Sequence, residues 1–179
     1  MKNTLKNNLL LLLTAMLLFS CGSEATLQKY FVEKQKDHNF ISFDLSSDMF
    51  IQNENLLTQE QKNTLKTIKK INLLALKSDD NKLLMDEEHI KIKEILTNDT
   101  YEQLIRYGSN TKNAALYYTG KEQAIDELIV FGFDEQTGLG LARVLGNNMN
   151  PAEVMTLIQS IDKGNLDFSV FNQLEASLK

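Results

Sequence analysis

Residues 113–145 read NAALYYTGKEQAIDELIVFGFDEQTGLGLARVL, and the punctuation of this stretch decides the fold. Three apolar runs, Asn113 to Thr119, Ala124 to Phe133 and Leu139 to Leu145, hold the β-branched and aromatic residues that suit a pleated surface. Between them lie Gly120-Lys121-Glu122 and Asp134-Glu135-Gln136-Thr137-Gly138, each with a glycine where positive φ is expected. Links this short cannot carry a parallel crossover, so the three strands should pair antiparallel. Gly132, Gly140 and Gly146 fall within or at the ends of the runs. They are expected to allow bulges or the close approach of a covering helix.

Downstream, Asn150-Pro151-Ala152-Glu153 announces a helix. Asn caps, Pro takes the first helical place where no N–H is needed, and Glu153 should reach back to the cap. Val154, Leu157, Ile158 and Ile161 follow at helical spacing, Gly164 stops the helix, and Phe168 to Leu178 reads as a short final one. Upstream, residues 85–96 and 100–107 read as two successive helices, the second started by Asp99 with Glu102 in capping-box spacing. Ile71 to Lys77 is apolar at nearly every place, as an inner strand covered on both faces would be. The helix before it starts at Thr58, three residues ahead of Gln61, and buries Leu65 and Ile68. Ser46 and Ser47 should cap a short turn carrying Met49, Phe50 and Ile51. Phe40 to Leu45 alternates as a half-buried strand, and Leu27 to Lys36 is a helix with Leu27, Tyr30 and Phe31 on one side.

These readings sum to an α+β fold in the order β-α-β-α-α-β-β-β-α after the first helix. The expected sheet is mixed, with about five strands, a right-handed β-α-β crossover at its start and helices mainly on one face.

The N-terminus has a different character. Lys2 and Lys6 precede an apolar run from Leu9 to Phe19, and Ser20-Cys21-Gly22 follows. This is the layout of a secretory signal, and the run is well short of the ~20 residues that span a bilayer. A small residue followed by the only cysteine of the chain resembles the lipobox of bacterial lipoproteins. That resemblance implies a diacylglyceryl group on the Cys21 thiol, cleavage before Cys21 and acylation of the new amine. The expected organisation is a signal peptide over 1–20, a tether over 21–26 and a single domain over 27–179. Once Cys21 is lipidated no thiol remains to pair, so the fold must stand on its core.

Charge narrows the partners. The precursor carries −5, and loss of Lys2 and Lys6 leaves 17 basic against 24 acidic residues, or −7. Such a domain gains nothing by neutralising phosphates, which argues against nucleic acid and against electrostatic adhesion to anionic lipid. Membrane attachment is expected through the lipid on Cys21, each buried CH₂ contributing ~0.8 kcal/mol.

Particular residues, with the order of elements, resemble a Bacteroidota lipoprotein family known as domain of unknown function 4252. They are Phe40 through Phe50, Ile71 to Leu76 after a Lys-rich helix, Tyr101-Glu102-Gln103-Leu104-Ile105 ahead of the meander, and Leu145-Gly146 leading to Val154 and Leu157. The resemblance spans residues 27–162 and implies a fold and an envelope location, with no catalytic residues to carry over. Asn147 to Pro151 departs from it, since an acidic residue is expected soon after the glycine.

Candidate chemistry is sparse. His38 and His89 are the only histidines, and each neighbours an acid, Asp37 or Glu88. Adjacent residues diverge on a helix or strand, so a metal site is not expected. Asp79-Asp80-Asn81 with Asp86-Glu87-Glu88 lacks the glycine and spacing of a calcium loop, and fits a solvated loop feeding an acidic helix N-terminus. Asp126 and Glu127 should face opposite sides of a strand. There is no tryptophan to stack a sugar, no G-x-S-x-G elbow, and Gly138-Leu139-Gly140 fails the phosphate-loop fingerprints. Tyr117 and Tyr118 should also diverge, one towards helices and one outward. No catalytic residue, cofactor or metal is indicated. The expected function is a non-enzymatic, lipid-anchored binding module that uses one sheet face for a protein or small ligand. Outer-membrane attachment facing the periplasm is expected, since Gly22 to Leu27 holds only Glu24 where surface-exposed lipoproteins carry an acidic cluster. The alternative is a periplasmic hydrolase or sugar-processing enzyme whose carboxylates converge in space.

Overall fold

A computed structural model describes residues 25–46, 57–78 and 82–160. Cys21, the Met49-Phe50-Ile51 turn, the Asp79-Asp80-Asn81 loop, Ile161 and the helix expected from Phe168 lie outside the described residues. The elements run α1 (Leu27–Lys34), β1 (Ile41–Ser46), α2 (Gln59–Thr67), β2 (Ile68–Lys77), α3 (Lys82–Leu96), β3 (Glu102–Gly108), β4 (Lys112–Lys121), β5 (Ala124–Asp134), β6 (Gly138–Met149) and α4 (Pro151–Ser160). The class is α+β. Six strands form one open sheet in the order β1-β2-β6-β5-β4-β3, and every neighbouring pair is antiparallel.

The meander β4-β5-β6 forms as its turns dictate. Gly138 takes φ +138°, and a side chain there would lie 2.3 Å from the Leu76 carbonyl oxygen, so only glycine closes this hairpin against β2. Three expectations are corrected. The sheet is not mixed: β1 and β2 are adjacent antiparallel partners, so the segment bearing α2 makes no parallel crossover. Among the described residues the strands number six because residues 102–108, expected to be helical, form edge strand β3 against β4. An Asn98 turn, in which Thr100 N–H donates to Asn98 Oδ1 at 3.0 Å, stands where the Asp99 capping box was expected. Hydrogen bonds to β4 that local sequence cannot display win over local helix propensity.

The third correction concerns layers. The registers separate the sheet into two faces (A and B below), and helices cover both. Face A holds Leu74, Leu76, Ile129, Phe131, Phe133, Leu139 and Leu141 under α1 and α3. Face B holds Leu116, Tyr118, Leu128 and Val144 under α2 and α4 through Leu65, Val154 and Leu157. One long meander with core side chains on alternate positions needs a helix layer on each side to exclude water.

Two caps behave as their sequences require in part. Thr58 and Gln61 form a reciprocal capping box at α2. Asn150 Oδ1 accepts from the N–H groups of Ala152 (3.0 Å) and Glu153 (3.4 Å). Glu153, however, does not return to Asn150. Its Oε2 accepts from the Thr64 hydroxyl at 3.0 Å and ties α4 to α2.

Candidate functional site: an open trough on the sheet

Face B tapers. Along each inner strand its residues shrink towards the same end of the sheet: Tyr118, Leu116, Ala114 on β4; Leu128, Val130, Gly132 on β5; Val144, Ala142, Gly140 on β6; Ile71, Leu73, Ala75 on β2. The large end is roofed by α2 and α4. At the small end Ala75, Gly140, Gly132 and Ala114 stand in register across four strands, with Tyr107 of β3 completing the row. The result is a trough of about 480 Å³, within the ~300–1,000 Å³ typical of ligand clefts. A side-chain carbon placed on Gly132 or Gly140 would meet nothing within 4 Å, so neither glycine is required by close packing. Gly146 is the opposite case and matches expectation. There a side chain would strike the Thr67 carbonyl oxygen at 2.3 Å, where α2 gives way to β2.

Apolar walls and one neutralised rim give the trough its chemistry. Tyr107 is 80% exposed and Ile105, beside it on face B, is 61% exposed. At the rim Lys112 Nζ lies 2.9 Å from Asp134 Oδ2. That contact raises the Lys112 pKa and, with the Gln136 N–H, lowers that of Asp134. Such a surface favours apolar or aromatic contact over charge recognition.

A row of polar groups lies instead on face A, beneath and beside α1. Asp44, Asn72 and Arg143 lie side by side across β1, β2 and β6. Asn72 Nδ2 donates to Asp44, and Lys70 Nζ reaches Asp44 at 2.9 Å. Burial works against the Asp44 charge, but Lys70 and Asn72 outweigh it and hold its pKa low. Arg143 Nε donates to Glu127, its Nη1 donates to Gln28 Oε1 at 3.0 Å, and its guanidinium lies 5.1 Å from the centre of the Phe31 ring. Leu27 N–H donates to the Tyr101 hydroxyl at 3.1 Å. Asp44 is engaged by Lys70, Asn72 and Gln35, and Glu127 by Arg143, whose bond to Gln28 seats α1 on the sheet.

The residues singled out in the sequence scatter. Asp126 is exposed and Glu127 is buried, as two successive strand positions should be. Tyr117 packs against the core of face A. Tyr118 corrects the expectation of an outward tyrosine: it is buried on face B and its hydroxyl donates to Glu102, a bond that with burial pushes its pKa up to about 12. The outward tyrosine is Tyr107, hidden from sequence reading by its helical assignment. Glu88 is buried in an ion pair with Lys34 at 2.6 Å that links α1 to α3. Burial opposes the Lys34 charge, yet Glu88 lifts its pKa above the usual lysine value. His38 lies exposed in the turn after α1. His89 stacks on Phe133 with ring centres 3.8 Å apart, and its buried Nε2 has no hydrogen-bond partner among the described residues. Among the described residues no three His, Cys, Asp or Glu side chains converge as metal ligands, and no helix is long and apolar enough to cross a membrane.

A family model described as "Domain of unknown function (DUF4252)" matches residues 30–157, from within α1 to within α4. Comparison with curated proteins and with solved structures gives no match. The matched span takes in all six strands and the trough, and the chain belongs to the DUF4252 family.

Proposed function

We propose that this protein is a lipid-anchored envelope protein, held by acyl chains on Cys21, that binds a protein or small apolar ligand in the face B trough without transforming it. The observation that carries the binding role is the pair Gly132 and Gly140, whose side-chain positions open onto empty space in the middle of a strongly paired sheet. A strand interior gains stability from larger residues, so glycine there costs stability that local packing does not repay. The burial of Glu127 in its ion pair with Arg143 supports a binding role over hydrolysis, because a general acid or base must reach its substrate. The signal with its Ser20-Cys21 end supports the anchor, and the sparse acidity after Cys21 supports an outer-membrane position facing the periplasm.

The binding role is tested by filling the trough. The acylated chain and its Gly132→Leu/Gly140→Leu variant are used in parallel pull-downs from envelope membranes. Partners of the wild type should be lost from the variant while its thermal midpoint holds. Retention of the same partners by the folded variant would remove the trough from the function. The anchor is tested separately: Cys21→Ser should turn the protein soluble or leave it as uncut precursor. Protease added to intact cells should spare the wild type, and digestion there would overturn the periplasmic placement.

A further inference from the structure

The outer crest of the α1–α3 layer carries apolar side chains that cover nothing among the described residues. The buried sides of the two helices are Leu27, Tyr30, Phe31 and Lys34 on α1, and Met85, Glu88, Ile92, Ile95 and Leu96 on α3. At 100° per residue, Val32 points about 150° from the middle of its helix's buried side, and Leu83 and Ile90 about 170° from theirs. They are 47%, 75% and 59% exposed. The pairs Lys34–Glu88 and Lys91–Glu33 (3.2 Å) bind the helices side by side, so all three face outward from one layer. Single exposed apolar residues need no account, but three on the crest of one layer mark a contact surface.

The tether identifies what lies against it. Six residue steps separate Cys21 from Leu27, a reach of at most about 22 Å at full extension. Leu27 begins α1, in the face A layer. Helix layers are ~10 Å thick, so the outer surface of the α2–α4 layer lies roughly 25 Å from the α1 axis. A bilayer holding the lipid is therefore out of reach on the face B side and within easy reach of the α1–α3 crest. Glu87 and Glu94 outnumber Lys29 among the exposed charges of that crest, so attraction to anionic headgroups does not account for it. Apolar contact with the interfacial zone of a zwitterionic bilayer does.

We infer that Val32, Leu83 and Ile90 rest on the membrane that holds Cys21, with the trough turned to the opposite side. This rests on lipidation of Cys21, and the experiment separates the two. Acylation consumes the only thiol of the chain, so Leu83→Cys, Ile90→Cys and Tyr107→Cys each offer one site for an environment-sensitive fluorophore in the full lipidated protein. The proteins are reconstituted into phosphatidylcholine–phosphatidylethanolamine vesicles with a fraction of nitroxide-headgroup lipid. Labels at 83 and 90 should be quenched, while the label at 107 should emit as it does without nitroxide. Flotation with the vesicles but equal, unquenched emission at all three positions would overturn the crest contact and leave the anchor standing. Failure of the protein to float, alike for wild type and Cys21→Ser, would sink the anchor and this inference together. Cross-linking of positions 83 and 90 to an envelope protein, with no lipid quenching, would assign the crest to a protein partner instead.

Discussion

Arg143 and Glu127 meet beneath helix α1, the guanidinium Nε donating to the carboxylate, and both side chains are shut off from water at 4% and 10% exposure. Removing one partner strands the other as a buried charge, typically ~3–5 kcal/mol of destabilisation, whereas apolar replacement of both is often neutral or better. Arg143→Met should therefore be severely destabilising, and Arg143→Met/Glu127→Leu should recover most of the loss. Denaturant midpoints of the four proteins give the cycle. A double variant no more stable than the single one would show that Arg143 acts mainly through Gln28 and Phe31 on α1.

Leu157 lies in the face B core at 3% exposure, while Asn150 only caps the same helix. Truncation of a buried Leu costs ~2–5 kcal/mol and loss of a cap ~1 kcal/mol. Leu157→Ala should lower the unfolding midpoint clearly more than Asn150→Ala does. A neutral Leu157→Ala would mean that α4 does not close the core.

The glycines of face B should separate by position. Gly146→Ala forces a carbon against the Thr67 carbonyl oxygen and the Met149 sulfur, and overpacking of this kind costs ~1–3 kcal/mol. Gly132→Ala opens onto empty space and should be neutral or stabilising by up to ~1 kcal/mol, since it restricts the unfolded chain. Thermal melts of the two variants decide it, and equal losses would mean that the trough is closed in solution.

His89 should make the fold sensitive to mild acid. Burial against Phe133, then Lys93 and Arg106, lower its pKa, while Asp86 opposes them. With the folded value below the unfolded 6.5, the unfolded chain takes up the proton first. The His89 contribution is complete above pH 6.5 and is lost as pH falls through the folded value. Midpoints measured from pH 8 to pH 5 should fall more steeply for wild type than for His89→Phe. Parallel pH profiles would contradict this.

By itself the sequence determined what depends on near neighbours. The meander of β4, β5 and β6 is legible because its short links, with Gly120 and Gly138 at positive φ, close antiparallel hairpins. The starts of α2 and α4 are legible because a cap acts within three residues. Only the tertiary structure decided the rest. Asp99 with Glu102 has the spacing of a helix start, yet residues 102–108 are a strand because β4 supplies an edge to pair with, across a bulge between Gln103 and Ile105. The strand–helix–strand order of residues 41–77 suits a parallel crossover as well as an antiparallel pair, and the Ile41↔Ala75 register settles it. Ala75, Ala114, Gly132 and Gly140 are far apart in the chain, and nothing local distinguishes them from ordinary small strand residues. Register alone brings them into one row, because a shift of one residue would turn each to the other face.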